Sequence, residues 1–304
     1  DRGGGDRKVS MPTRVNDQDP GEVVDLLHAA AQSMLDAPGR QGCVASIGGS
    51  GRLLATGDLH DNPLHFAKVV SYSGIREDPE AHLVLHELIH GERLLNGVDL
   101  SYRMLVKVAA LLVDHPGRVH AILANHELAQ MAGHSVSKGG GCMTTRFNDG
   151  LDWVFGDDAP DVADAVGAFV RAMPLAARTD HGVFCAHSLP GPAMMERFDL
   201  GIVERDLRPE DYEPLYGSAW MMVWGRGQTA EQMEMIAERW NVSLFCLGHA
   251  FVERGIAIGG PRTLLLNSDH EHGAVLPIDL GDAPPTTESA MFSAIPLAAL
   301  EAKT

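Results

Sequence analysis

Apolar residues recur along the chain in two patterns, one typical of helices and one typical of strands. Four segments have apolar side chains three and four positions apart, which predicts amphipathic helices. The predicted helices cover residues 22–35, 101–115, 161–173 and 229–240. Short apolar runs bounded by Gly, Pro or polar residues predict strands. The predicted strands cover residues 43–49, 52–58, 118–124, 182–188 and 243–249, followed by closing strands at 256–260, 263–268 and 274–280.

Periodicity does not assign residues 81–90, where His residues interrupt an apolar run. Residues 133–150 are rich in Gly and Ser and predict a loop. Composition divides the chain into three parts. We expect a flexible N-terminal segment at 1–20, one main domain at 21–282 and a C-terminal tail at 283–304.

Polar residues of the kinds that bind metals follow several of the predicted strands. Carboxylate, amide and imidazole side chains serve Mn, Fe and Zn alike. In α/β proteins, ligand sites gather at the ends of strands, so these positions predict convergence on one metal site. The residues are Asp58, His60, Asn125, His126, His187 and His249.

Charge and composition restrict the partners. Lys and Arg number 24 against 41 Asp and Glu, which gives a formal net charge of −17. We therefore expect neither nucleic acid nor an anionic membrane as a partner, and a phosphate-bearing substrate would need positive charge such as a bound divalent metal. No apolar run reaches the roughly 18 residues that cross a bilayer. The four dispersed cysteines form no disulfide framework, and we expect a cytoplasmic location.

Several long segments, in order between about residues 50 and 280, carry a resemblance to a known family. Residues 57–62 read GDLHDN, and residues 111–127 end in the sequence NHE. Residues 168–192, 223–227 (VWGRG) and 246–249 (CLGH) continue the match. The chain resembles the calcineurin-like metallophosphoesterases, specifically the PPP-type serine/threonine phosphatases.

This resemblance implies an α/β fold, a metallophosphoesterase-like β-sandwich of two mixed sheets flanked by helices. It implies a phosphatase that hydrolyses phosphomonoesters, in which one or two divalent ions (Mn, Fe or Zn) activate a water for attack on phosphorus. By the same resemblance, His126 would be the general acid for the leaving oxygen, and Arg226 would hold phosphate oxygens. The implied metal ligands are Asp58, His60, His86, Asn125, His187 and His249.

The chain departs from the family in its second motif, which falls on residues 85–91. His86 stands where the family has an Asp that bridges two metals, and a neutral imidazole offers only one lone pair. Either the site is rearranged, or Glu87 supplies the bridging carboxylate, or only one metal binds tightly. Ile89 replaces a second Asp, and His90 replaces an Arg that contacts the substrate.

Two other hypotheses remain open at this stage. Residues 86–90 read HELIH, the zinc peptidase motif, which would require a helix at 82–94. A degenerate phosphatase-like binding protein without activity is the other alternative, because the second motif is altered. Residues 269–272 (DHEH) either contact the substrate or form a solvated loop, and we favour the loop.

Overall fold

The computed structural model describes residues 14–135, 137–138 and 141–302. In this part of the chain the α-helices are α1 (Pro20–Leu35), α2 (Pro63–Ser73), α3 (Tyr102–Asp114), α4 (Asn125–Ala132), α5 (Met143–Phe155), α6 (Ala159–Ala172), α7 (Ser218–Trp224), α8 (Ala230–Trp240) and α9 (Thr287–Ser293). The strands are β1 (Arg40–Gln41), β2 (Val44–Ile47), β3 (Arg52–Asp58), β4 (His82–His86), β5 (Val119–Ile122), β6 (Ser137–Lys138), β7 (Gly141–Cys142), β8 (Ala176–Thr179), β9 (Val183–Ala186), β10 (Leu244–Leu247), β11 (Ile256–Gly260), β12 (Thr263–Leu266), β13 (Ala274–Asp279) and β14 (Ile295–Pro296).

Most strands belong to two mixed sheets. One sheet has seven strands in the order β1-β2-β8-β9-β10-β12-β11, and the other has five in the order β14-β13-β3-β4-β5. Strands β3, β4 and β5 run parallel, and so do β9, β10 and β12. The predicted fold class, an α/β sandwich of two mixed sheets flanked by helices, is confirmed.

The two sheets pack face to face through small and branched apolar side chains. Val84 and Ile122 from the five-stranded sheet lie in one cluster with Cys185 and Cys246 from the seven-stranded sheet. Successive residues of a strand point to opposite faces, so Leu83, the neighbour of Val84, instead joins the cluster that packs under the helices. The sandwich therefore brings the ends of parallel strands from both sheets together.

Residues 133–150 differ from the predicted loop, because α5 begins at Met143 within them. Met143, Phe147 and Leu151 are buried at helical spacing, but the polar and Gly residues between them obscure this pattern in the sequence. Gly150 is required inside this helix because a Cβ there would collide with the backbone oxygen of Asp99.

The N-terminal segment and the C-terminal tail that the sequence predicts lie at the two ends of the chain. The N-terminal segment predicted at 1–20 lies outside the described residues up to residue 13, and α1 begins at Pro20. Within the segment predicted as a tail, β14 pairs with β13, and Ala290 and Leu297 are fully buried. The division into three parts stays a prediction. Among residues 14–135, 137–138 and 141–302, no helix is long and apolar enough to cross a membrane.

Candidate metal centre

The candidate site lies where five strand ends from the two sheets meet. Strands β3, β4 and β5 lead into Asp58, Glu87 and Asn125, which are 3%, 2% and 3% exposed. Strands β9 and β10 lead into His187 and His249 from the other sheet. The sandwich thus places ligand-type side chains from distant parts of the sequence around one point.

Asp58 is the last residue of β3, and His60 lies in the turn between β3 and α2. His60 has a φ of 41°, a left-handed conformation that is uncommon outside Gly and turns the chain sharply after the strand. Asn62 then caps α2 by accepting the backbone N–H of His65 at 3.1 Å, and Pro63 occupies the first helical turn. The helix start fixes the direction in which the turn carries His60.

Glu87 lies between His60, which follows a strand of the five-stranded sheet, and His187, which follows a strand of the seven-stranded sheet. Its Oε2 atom is 3.3 Å from His60 Nε2, and its Oε1 atom is 3.7 Å from His187 Nε2. Glu87 also has a left-handed φ of 37°, so the chain changes direction directly after β4. Glu127 stabilises this turn, because its Oε1 accepts the N–H groups of Leu88 at 2.7 Å and Ile89 at 3.2 Å.

Three further ligand-type atoms converge beside Glu87. The Nε2 atom of His187 is 2.6 Å from Asn125 Oδ1 and 3.0 Å from His249 Nδ1. Asn125 begins α4 directly after β5, whereas the two His residues follow β9 and β10. An imidazole nitrogen carries at most one proton, so it cannot donate strongly to both neighbours. A cation would satisfy all three lone pairs at once.

The close approach of β10 to Asp58 depends on Gly248. A Cβ at this position would collide with Asp58 Oδ1. Without it, the backbone N–H of His249 donates to both carboxylate oxygens of Asp58, at 3.0 and 2.9 Å. His249 itself has a left-handed φ of 64°. The ligand side chains are thus held by backbone hydrogen bonds as well as by packing.

The protonation states favour cation binding. Burial would raise the pKa of Asp58, but hydrogen bonding and charge from His187, the charge of His60 and the His249 N–H together hold that pKa below its ordinary range. Burial, together with the charges of His187 and Arg226, lowers the pKa of His249 to about 2. Near pH 7, Asp58 is therefore ionised and His249 is neutral, which are the forms that bind metals.

The donor atoms fit one or two divalent cations. The ligand atoms of Asp58, Glu87 and His187 all lie within 4.8 Å of one another, and so do those of His60, Glu87 and His126. Glu87 belongs to both groups. Two carboxylates buried this closely require positive charge nearby, because a buried charge is costly unless it is paired.

Above these groups opens a cavity of about 690 Å³. Two cationic side chains reach it, Arg226 and Arg93. Arg226 Nη1 donates to His249 O at 3.0 Å, and Arg93 Nη1 donates to His60 O at 3.1 Å. Sequence reasoning identified Arg226 but missed Arg93, whose only sequence signal is a positive charge shortly after the altered motif. The other residues that line the cavity are Asp58, His60, Glu87, Glu92, Asn125, His126, Trp224, His249, Phe251, Asn267, Asp269 and His270.

Two residues predicted for the site are placed differently from the others. His86 is fully buried, belongs to neither ligand group, and lies beside Gly248 with no hydrogen-bond partner for either ring nitrogen in the described chain. Its position two residues after Val84 directs its side chain between the sheets. His90 is also fully buried and does not line the cavity, because its Nε2 contacts Gln130 Oε1 at 3.1 Å. Glu87 and Arg93 line the cavity, whereas the roles predicted for His86 and His90 stay predictions.

The peptidase hypothesis lacks the helix that it requires. Residues His82–His86 form β4, and residues 87–94 after it are not helical. His86 and His90 therefore do not lie on one helix face one turn apart, as the HELIH motif demands. In the loop at 269–272, Asp269 and His270 line the cavity, whereas His272 does not.

Comparison with solved structures identifies the fold. A protein serine/threonine phosphatase from Saccharomyces cerevisiae, with similarity to human phosphatase PP5, superposes with a TM-score of 0.61 at 12% identity, over 86% of this chain and 82% of that chain. A cold-active protein-tyrosine phosphatase of a psychrophilic Shewanella species superposes with a TM-score of 0.56 at 15% identity, over 81% and 78%. No protein-family model and no curated protein matches the chain in sequence.

The comparisons show the fold, and the geometry shows a candidate metal site. The chain has a phosphatase fold, and at its strand ends it carries buried Asp, Glu and His groups that could hold a metal ion. Identities of 12% and 15% establish the fold alone. What the site does must therefore be inferred from its own side chains.

Proposed function

We propose that the protein is a metal-dependent phosphatase that hydrolyses phosphomonoesters. The observation that supports this proposal most is the position of Glu87, which belongs to both groups of ligand atoms beneath a cavity with two Arg side chains. A carboxylate has two oxygens and can serve two cations, as a neutral imidazole cannot. We therefore assign to Glu87, and not to His86, the position that two metal ions would share. The other residues keep the roles that the resemblance implies.

The chain would hold two divalent cations, Mn, Fe or Zn, through two sets of residues. His60 and Glu87 form one set, and Glu87 forms the other with Asp58, Asn125, His187 and His249. When bound, the cations supply positive charge to the phosphoryl group and lower the pKa of water at the site. The second set includes the three atoms that already converge within 3.0 Å of His187 Nε2.

The remaining residues bind the substrate and move a proton. Arg93 and Arg226 bind phosphate oxygens, and the hydrogen bonds to the carbonyls of His60 and His249 hold both guanidinium groups at the rim. His126 is 7% exposed and lines the cavity, where it donates a proton to the leaving oxygen as the P–O bond breaks. Ile89 supplies no carboxylate to orient this His, and Glu87 Oε1 lies 3.8 Å from its Nε2.

The substrate class is a phosphorylated protein side chain or a small phosphorylated molecule. The solved neighbours are named as a serine/threonine phosphatase and a protein-tyrosine phosphatase, which favours a phosphate monoester. The overall charge of −17 disfavours nucleic acid and anionic membranes as partners. We propose a cytoplasmic location because the four cysteines are free thiols.

Turnover of p-nitrophenyl phosphate by the full chain tests the proposal. We expect activity that a chelator removes and that Mn²⁺ restores, and a loss of at least about 100-fold in Asp58→Asn. Asp157→Asn, at an exposed position that does not line the cavity, should retain full activity. Absence of turnover with Mn²⁺, Fe²⁺ and Zn²⁺ would refute the proposal and favour the non-catalytic alternative.

A further inference from the structure

One wall of the metal cavity is aromatic. Phe251 lines it with 77% of its side chain exposed, although large apolar side chains of this kind are usually buried. Trp224 and His270 also line the cavity. An exposed apolar ring at the rim of a polar cavity needs an explanation, because it contributes little to the core.

Neighbouring side chains hold these rings next to the metal ligands. Phe251 follows His249 by two residues, and its ring lies 5.2 Å from that of His270. His270 is fixed in turn by a 2.9 Å contact between its Nε2 and Val252 O. Trp224 stacks on Trp220 at 5.9 Å and meets the His249 ring edge to face at 6.3 Å. The aromatic wall is therefore already in place beside the ligands.

The cavity is larger than a phosphoryl group requires. A volume of about 690 Å³ lies within the range of roughly 300–1,000 Å³ that encloses an organic ligand of drug size. Besides the ligand residues and the His rings, the charged side chains that line it are Arg93, Arg226, Glu92 and Asp269. Because both Arg side chains are assigned to the phosphate, the charges left for the rest of the substrate are the carboxylates of Glu92 and Asp269, which disfavour further phosphates there.

We propose that the substrate is a phosphate monoester of an aromatic alcohol, and that Phe251 is a specificity-determining residue that stacks on the aromatic ring of the leaving group. Offset or edge-to-face contacts between rings stabilise such a pair beyond the area that they bury. The proposal rests on the phosphatase activity proposed above. It adds the class of leaving group, which neither the ligand groups nor the two Arg residues determine.

Phosphotyrosine and phosphoserine, used as free amino acids with the Mn²⁺-loaded full chain, provide the test. Phe251→Ala should raise KM for phosphotyrosine by roughly 3- to 10-fold and change KM for phosphoserine less than about twofold. Comparing each variant with wild type on both substrates cancels the difference in reactivity between the two esters. Phe292→Ala is the matched control, because Phe292 is 91% exposed and does not line the cavity.

Binding of inert analogues provides a second measurement. Phenylphosphonate should inhibit wild type more strongly than ethylphosphonate, and Phe251→Ala should remove this preference while Phe251→Tyr keeps it. Equal losses on both substrates in Phe251→Ala, or no preference between the two phosphonates, would overturn the aromatic assignment alone. Failure to hydrolyse either phosphoamino acid or p-nitrophenyl phosphate would instead refute the phosphatase proposal and this inference with it.

Discussion

Replacing Glu87 by Gln separates the two residues that could bridge the metals. The substitution keeps the shape of the side chain and removes one of the two carboxylate charges in the ligand groups, the other being Asp58. His86→Gln is the matched variant at the neighbouring position. We expect Glu87→Gln to weaken the binding of the second of two Mn²⁺ ions, and His86→Gln to leave the binding of both ions unchanged.

The expected size of the effect follows from the distances at Glu87. Its two oxygens lie 3.3 to 3.8 Å from ring nitrogens of His60, His187 and His126. Two opposite unit charges about 4 Å apart attract by about 4 kcal/mol at an effective dielectric constant of about 20. If water and the new amide recover two thirds of this attraction, about 1.4 kcal/mol is lost. This corresponds to about tenfold weaker binding of the second ion.

Calorimetric titration with Mn²⁺, together with metal analysis of the purified chain, measures both the number of ions and their affinity. Circular dichroism and thermal unfolding confirm that each variant is folded. The shared role of Glu87 would be refuted if Glu87→Gln bound two ions with wild-type affinity. Loss of one ion in His86→Gln, with Glu87→Gln unaffected, would return the bridging role to His86.

Three further perturbations test other parts of the site and the core. Arg93→Ala should raise KM for p-nitrophenyl phosphate by about tenfold or more, because a charge-assisted hydrogen bond is worth about 1.5–3 kcal/mol. Arg239→Ala on α8 is the control. Equal KM values for Arg93→Ala and wild type would exclude a role for Arg93. Gly248→Ala should abolish metal binding in a folded chain, because its Cβ collides with Asp58 Oδ1, and retained binding would show that β10 can shift. Burial and the neighbouring His82 lower the pKa of His120 from 6.5 to about 3, so the unfolded chain takes up a proton between these values and the native chain does not. The contribution of His120 to the free energy of unfolding should therefore be complete above pH 6.5 and fall by about 2 kcal/mol at pH 5. Urea unfolding of His120→Gln should lack this part of the loss. An identical loss in both proteins would refute the assignment to His120.

The fold could be predicted to a large extent from the sequence because the apolar pattern is regular where the sandwich is built. The predicted strand at 52–58 is β3, and the predicted helix at 229–240 is α8 within one residue. The run at 81–90 could not be assigned because only its first part is a strand. There β4 ends at His86, and the chain then turns through the left-handed Glu87.

The same turn explains why the sequence suggested His86 as a ligand. Counting positions along a motif assumes that successive side chains keep alternating between the two faces of the sheet. Here the alternation along β4 ends at His86, because the next residue, Glu87, adopts a positive φ of 37°. The Glu87 carboxylate therefore lines the cavity, although counting along the motif points to His86. Arg93 could not be predicted either, because it lies in an irregular segment whose path depends on tertiary contacts.

The turns after the strands, more than the strands themselves, determine the geometry of the candidate site. His60, Glu87 and His249 all have left-handed backbone conformations, which are costly for residues other than Gly. Tertiary hydrogen bonds compensate for this cost: His60 N–H donates to Glu87 O at 2.9 Å, and His249 N–H donates to Asp58. Since each bond joins two different strand ends, each ligand depends on a turn that another ligand stabilises. A cation that draws these side chains together would therefore also stabilise the strained turns, so metal binding and the order of this edge should be coupled.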